Sequence, residues 1–202
     1  MMNSEMHDGE LERLFIAVKL PSELQVIVGR KCNRLSQELH FSKWTHPDDY
    51  HITLQFLGDT DKEDIPAIIK ALKEVGRECM PFQLSLEDFG TFGVPASPRV
   101  LWAGVSGELE KLHQLQQAVV SATLPLGYTA EKRDYKPHLT LARKYRGNTP
   151  FDAKIIESLL KLDVDLGPKF DTIDWTVDSF VLYSTRMYAI PMYEIIENIT
   201  FL

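Results

Sequence analysis

Short apolar runs with a two-residue repeat alternate along this chain with stretches whose apolar residues recur every three or four positions. The first rhythm predicts strands and the second predicts amphipathic helices. Residues 14–18 form the first strand. Leu24, Ile27, Val28, Cys32, Leu35 and Leu39 share one face of a helix over about 22–39. A strand carrying His51 and Thr53 follows, ended by Gly58-Asp59. Ile65, Ile68, Ile69, Leu72 and Val75 are in helical phase, and Pro66, tolerable only in a first turn, sets the start near Asp64. Residues 82–86 alternate as a strand, and 90–98, rich in Gly and Pro, read as a loop. The same order then returns: a strand over 99–105, a helix over 106–122, a strand with His138 and Thr140, a helix over 151–162 and strands over 170–175, 178–184 and 192–196.

The repeated order predicts a duplicated β-α-β-α-β unit in one bilobal domain, with halves at about 11–97 and 98–202 and residues 1–10 as a flexible lead-in. Helices between strands with hairpin-like returns fit an α+β fold. At 202 residues, 44% hydrophobic and 25% charged, the chain has the composition of a soluble globular protein. No apolar stretch approaches a membrane span, and the polar start lacks a signal-peptide core. Cys32 and Cys79 lack metal or redox spacing and read as reduced thiols, which places the protein in the cytoplasm.

Two near-repeats carry the chemistry: His51-Ile52-Thr53-Leu54 and His138-Leu139-Thr140-Leu141. In a strand, residues i and i+2 point the same way, so each segment offers an imidazole and a hydroxyl on one face and buries its aliphatic pair on the other. Facing each other across a cleft, one imidazole gives a proton, the other takes one, and two hydroxyls hold an oxyanion. That suits phosphoester chemistry with no metal and no cofactor. His40-Phe41-Ser42 also fits the tripeptide, but at a helix end and without alternation it reads as a decoy. Net charge is −7, which disfavours wrapping of long nucleic acid. Around the second motif, however, Lys132, Arg133, Lys136, Arg143, Lys144 and Arg146 outnumber Glu131 and Asp134, either as a solvated loop or as a guide for a phosphorylated end.

The flanks His51-Ile52-Thr53-Leu54-Gln55-Phe56-Leu57-Gly58-Asp59 and Lys136-Pro137-His138-Leu139-Thr140-Leu141-Ala142-Arg143 resemble the two-histidine phosphoesterases. Within these they are similar to the bacterial and archaeal RNA 2′,3′-cyclic phosphodiesterases, also called LigT or 2′-5′ RNA ligases. The resemblance runs from Arg13-Leu14-Phe15-Ile16-Ala17-Val18, through Arg99-Val100-Leu101-Trp102-Ala103-Gly104-Val105, to Phe180-Val181-Leu182-Tyr183-Ser184. It implies two pseudo-symmetric lobes, each an antiparallel sheet with helices on its outer face, and an active cleft between the sheets. It also implies metal-independent hydrolysis of RNA 2′,3′-cyclic phosphate ends to 2′-phosphate, with His51 as proton donor, His138 as proton acceptor, and Thr53 and Thr140 as phosphate ligands. Arg143 matches a family arginine, but five residues from His138 a regular strand would turn it to the opposite face, so a bulge is required. Phe15, Trp44 and Tyr135 are candidates to stack on a base, core packing being the alternative for each. His46 and His113 read as surface residues. The expected partners are RNA 3′ ends or small cyclic-phosphate nucleotides, met by a monomer. Another cyclic phosphate, reversible RNA joining, or RNA-end binding without turnover are the other readings.

Overall fold

In the computed structural model, which describes residues 11–161 and 172–202, the first strand divides its side chains between two faces. Leu14, Ile16 and Val18 of β1 (Leu11–Lys19) enter the main core, while Phe15 and Ala17 join Val181 and Tyr183 in a small cluster on the other side. The chain continues as α1 (Ser22–Ser36), β2 (Phe41–Trp44), β3 (His51–Asp61), α2 (Ile65–Glu78), β4 (Phe82–Val94) and β5 (Ser97–Gly107). It closes with α3 (Leu109–Thr123), β6 (His138–Tyr145), α4 (Lys154–Lys161), β7 (Asp174–Val177), β8 (Ser179–Thr185) and β9 (Tyr193–Thr200). Helix α2 buries Ile68 and Leu72 completely. Full burial of such a side chain is worth about 1.5–3 kcal/mol.

The fold is α+β, and every strand pairing is antiparallel. The described strands run in the order β7-β4-β5-β6-β3-β1-β8-β9, with β2 beside the outer part of β6. Two arms of this curled sheet, one around β5 and one around β1, meet at a single pair, Ile52 with Leu139. The two arms thus form one hydrogen-bonded sheet rather than two. Sheet membership crosses the division at residue 97: β4 pairs with β5 and β7, and β8 pairs with β1.

Several element boundaries differ from the expected ones. Helix α1 ends at Ser36, and Phe41-Ser42, expected near a helix end, lies in β2. A four-residue strand is too short to show an alternation, and Phe41 is held by edge contacts with Tyr145 and Phe151. Gly58 does not end β3. Its φ of 79° forms a bulge, Leu57 is skipped in the pairing with β1, and the strand continues to Asp61. The expected loop over 90–98 is a long hairpin whose turn is confined to residues 95 and 96. Strand β5 runs on to Gly107, where the helix was expected from 106. Of the helix expected over 151–162 and the strand over 170–175, residues 162–171 lie outside the described residues, as do residues 1–10. Among the described residues no helix is long and apolar enough to cross a membrane.

Candidate active site

The two His-x-Thr segments open β3 and β6 with the same burial sequence. His51 and Thr53 are half-buried, Ile52, Leu54 and Gln55 are buried, and Phe56 is exposed. His138, Thr140, Leu139, Leu141, Ala142 and Arg143 repeat this order. Two buried residues in succession mark a bulge. Thr53 pairs with Ala17 and Gln55 with Ile16, so Leu54 is skipped. Thr140 pairs with Trp102 and Ala142 with Leu101, so Leu141 is skipped. Each bulge falls three residues after its histidine and inverts the alternation beyond it. Arg143 is thereby carried to the face of His138, which supplies the irregularity its position requires. Phe56 occupies the equivalent position on β3, a residue the pattern of the sequence did not single out.

Around the Ile52–Leu139 pair, the antiparallel register continued by one residue each way sets His51 opposite Thr140 and Thr53 opposite His138. Directly opposed Cβ atoms lie about 4.5–5.5 Å apart. The four groups therefore form a patch of two imidazoles and two hydroxyls in diagonal arrangement, with Arg143 close enough to act electrostatically on both rings.

The imidazoles are anchored alike. Nδ1–H of His51 donates to the Asp49 carbonyl at 2.6 Å, and Nδ1–H of His138 donates to the Lys136 carbonyl at 2.7 Å. A carbonyl only accepts, so Nδ1 carries the proton and Nε2 is left for chemistry in both rings. Burial pushes the His51 pKa down to about 4, against the Asp49 carbonyl bond and carboxylate, which favour the charged ring; Arg143 and His138 lower it further. Burial also lowers His138, with Arg143 adding to the effect. Both shifts favour the neutral ring, with burial as the main cause.

Aromatic walls fix the rings. Phe15 and Tyr193 lie 4.9 and 5.1 Å from His51, and Phe92 and Trp102 lie 4.9 and 6.2 Å from His138. Phe15 is only 2% exposed, sandwiched among His51, Tyr183 and Tyr193, so it supports the imidazole and offers no face to a base. Trp44 packs edge-on against Phe41, and Tyr135 against His113, which is half-buried rather than on the surface. His46 caps a short turn, its Nδ1 accepting from the Asp48 N–H at 3.3 Å. His40 is exposed just before β2, and its carbonyl accepts the Arg146 N–H beyond the far end of β6. Asp49 is the least expected participant. Its buried carboxylate accepts the backbone N–H groups of Met192 and Tyr193 at 2.9–3.0 Å and so holds the β8–β9 hairpin against His51. Nothing in the local sequence links residues 49 and 193; only the fold brings them together.

A family model for the 2′-5′ RNA ligase superfamily matches residues 24–188. Among curated proteins, the RNA 2′,3′-cyclic phosphodiesterase of Geobacillus stearothermophilus is 38% identical over 182 residues, 90% of this chain and 55% of that protein. The chain thus spans little more than half of that relative. The Bacillus subtilis protein of the same name is 35% identical over 147 residues, 67% of this chain and 80% of its own length. Among solved structures, TT0787 of Thermus thermophilus superposes with a TM-score of 0.74 at 25% identity, covering 93% of this chain and 97% of that one. Escherichia coli LigT complexed with 3′-AMP superposes with a TM-score of 0.71 at 24% identity over 95% and 99%.

Proposed function

Since the chain belongs to the 2′-5′ RNA ligase superfamily, we infer that its cleft hydrolyses RNA ends bearing a 2′,3′-cyclic phosphate. The observation that carries this reading is the pair of Nδ1-anchored imidazoles, each with a threonine two residues on, flanking one strand contact. His138 Nε2 takes a proton from water as the water oxygen bonds to phosphorus. The P–O3′ bond breaks, and His51 Nε2 gives its proton to the departing O3′. The product is a 2′-phosphate with a free 3′-hydroxyl. Thr53, Thr140 and Arg143 meet the charge that builds on the non-bridging oxygens.

The roles are those the family resemblance implies. Burial favours the neutral form of His138, the form a base needs. His51 must gain a proton before it acts, and the arriving phosphate anion supplies the field that loads it, helped by the Asp49 carboxylate. Acid, base and cation are all side chains, and hydrolysis proceeds without a metal. The cluster comes from one chain, so a monomer suffices. Both cysteines are free thiols, in keeping with the cytoplasm.

His51→Ala and His138→Ala should each lower kcat on a cyclic-phosphate oligonucleotide by at least about 10²-fold, the scale of general acid–base groups. His40→Ala should match wild type. Near-normal turnover by either of the first two variants removes that histidine from the mechanism.

A further inference from the structure

The β8–β9 hairpin that brings Tyr193 to His51 gains little from burial. Strand β9 is the outermost of its arm, and Met187, Tyr188 and Ile190 in the turn are exposed. A segment with few buried apolar contacts opens locally at low cost. Polar anchors must therefore fix its place. Asp49 grips the backbone of Met192 and Tyr193. A second grip comes from Arg186, at the start of the same turn. Its backbone N–H donates to the Met192 carbonyl at 2.7 Å, its Nε to Glu194 at 2.5 Å and its Nη1 to Glu12 at 2.6 Å. Arg186 thus holds the residues on both sides of Tyr193 and ties them to β1.

Glu12 separates this arrangement from an ordinary surface ion pair, which is worth little. It is buried, accepts the Ser184 hydroxyl and faces Lys62 at 3.7 Å. The Ser184 hydroxyl holds its carboxyl below the usual carboxylate range, with Arg186 and Lys62 adding to the effect against burial. The planar guanidinium fork meets Glu12 and Glu194 at once, which a single ammonium does less well. Strand alternation then separates cause from effect. Ser184 lies opposite Leu14 on one side and Glu194 on the other, so these side chains and Glu12 share the face that Leu14 presents to the core. Tyr193, next to Glu194, points to the opposite face. There its ring meets Phe15 at 4.8 Å and His51 at 5.1 Å. The clamp sits behind the sheet, and the ring it places stands in front.

We propose that Arg186 is a positioning residue: locked to Glu12 and Glu194, it fixes Tyr193 as a wall of the His51 ring. It touches no reacting group and acts through Tyr193. Its effect on turnover rests on the hydrolytic reading above; its effect on the ring does not. Two measurements on the full chain therefore test it. The His51 and His138 rings are titrated by NMR, and kcat and KM are measured on an oligonucleotide ending in a 2′,3′-cyclic phosphate. The proteins are wild type, R186Q, E12Q/R186Q and the control R13Q, which breaks the exposed Arg13–Asp59 pair on the same strand as Glu12. E12Q/R186Q removes one charge of each sign, and it keeps the test open if an unpaired Glu12 unfolds R186Q. Asp49, Arg143 and His138, the charged groups that act on His51, are intact in every variant, so a changed titration reports the wall.

The His51 midpoint should rise by about 1 pH unit in R186Q and in E12Q/R186Q, as water reaches the ring. The His138 midpoint should stay in place, and R13Q should match wild type in both measurements. In the two clamp variants kcat should fall about tenfold through misplacement of the acid, with KM nearly unchanged. In a Tyr193→Ala background R186Q should lower kcat no further, because the group it places is gone. An unmoved His51 midpoint overturns the proposal, even where the urea midpoint drops. So does a loss of kcat by R186Q that is as large in Tyr193→Ala as in wild type. Absence of turnover by wild type sinks the hydrolytic reading and leaves the titration to decide the clamp.

Discussion

Two residues before each imidazole the chain differs: Asp49 precedes His51 and Lys136 precedes His138. Both backbone carbonyls do the same work, but only the first position brings a carboxylate to its ring. The Asp49 carboxylate pulls toward a charged His51, against the larger effect of burial, and in the proposed mechanism it helps load the acid once phosphate is bound. Asp49→Asn should therefore shift the basic limb of the kcat profile to lower pH, since the bound acid loses its proton more easily, while moving the acidic limb little. An unshifted basic limb would detach Asp49 from proton loading. With the free His51 pKa pushed down to about 4, the proposed charged His51 in a 2′-phosphate product complex would be formed by proton uptake on binding at pH 6–7. Calorimetry in buffers of different ionisation enthalpy should register that uptake in wild type and not in His51→Ala. At this scale the placement of His51 with Thr53 and of His138 with Thr140 on like faces of two strands was legible in the sequence, because a two-residue repeat needs no tertiary knowledge. Asp49 was not legible, since its partners lie 143 and 144 residues away.

At the scale of elements, bulges do what regular strands cannot. The bulges at Leu54 and Leu141 carry Phe56 and Arg143 into the cleft, and Gly58 continues β3 where a glycine reads as an end. Apolar pattern announces a strand but not a skipped residue, so the need for a bulge at Arg143 was visible while its place was not. Gly90 shows a different use of glycine. A Cβ there would meet the Trp102 ring at 2.1 Å, and Trp102 borders His138. Gly90→Ala should destabilise the fold by about 1–3 kcal/mol through overpacking and lower activity as Trp102 moves. Gly58→Ala meets open space but keeps a positive φ, and should cost about 1–2 kcal/mol with turnover retained. Urea midpoints and kcat on the two variants separate packing from backbone strain; an active Gly90→Ala would dissociate Trp102 from the site.

At the scale of the molecule, the repeated order of elements revealed the α+β class but not the interchange of strands between arms. Pairing of β8 with β1 and of β7 with β4 depends on long-range closure, which local periodicity does not encode. The cleft also couples stability to pH. His51 titrates near 4 when folded and about 6.5 when unfolded, so the unfolded chain takes the proton first as pH falls. Its contribution is complete above pH 6.5 and is lost toward pH 4, with His138 acting in the same direction. The urea midpoint should fall across that window, and His51→Asn should flatten the fall. A wild-type midpoint constant from pH 7 to 4.5 would contradict the depressed pKa.

That two side-chain imidazoles open the cyclic phosphate at O3′ without a metal is tested most directly by the product itself. The full chain is given an oligonucleotide ending in a 2′,3′-cyclic phosphate, in excess EDTA, and the product is identified by phosphorus NMR. The predicted result is complete conversion to the 2′-phosphate. A 3′-phosphate product would reverse the roles of His51 and His138, and turnover lost to EDTA and restored by a divalent ion would contradict the mechanism.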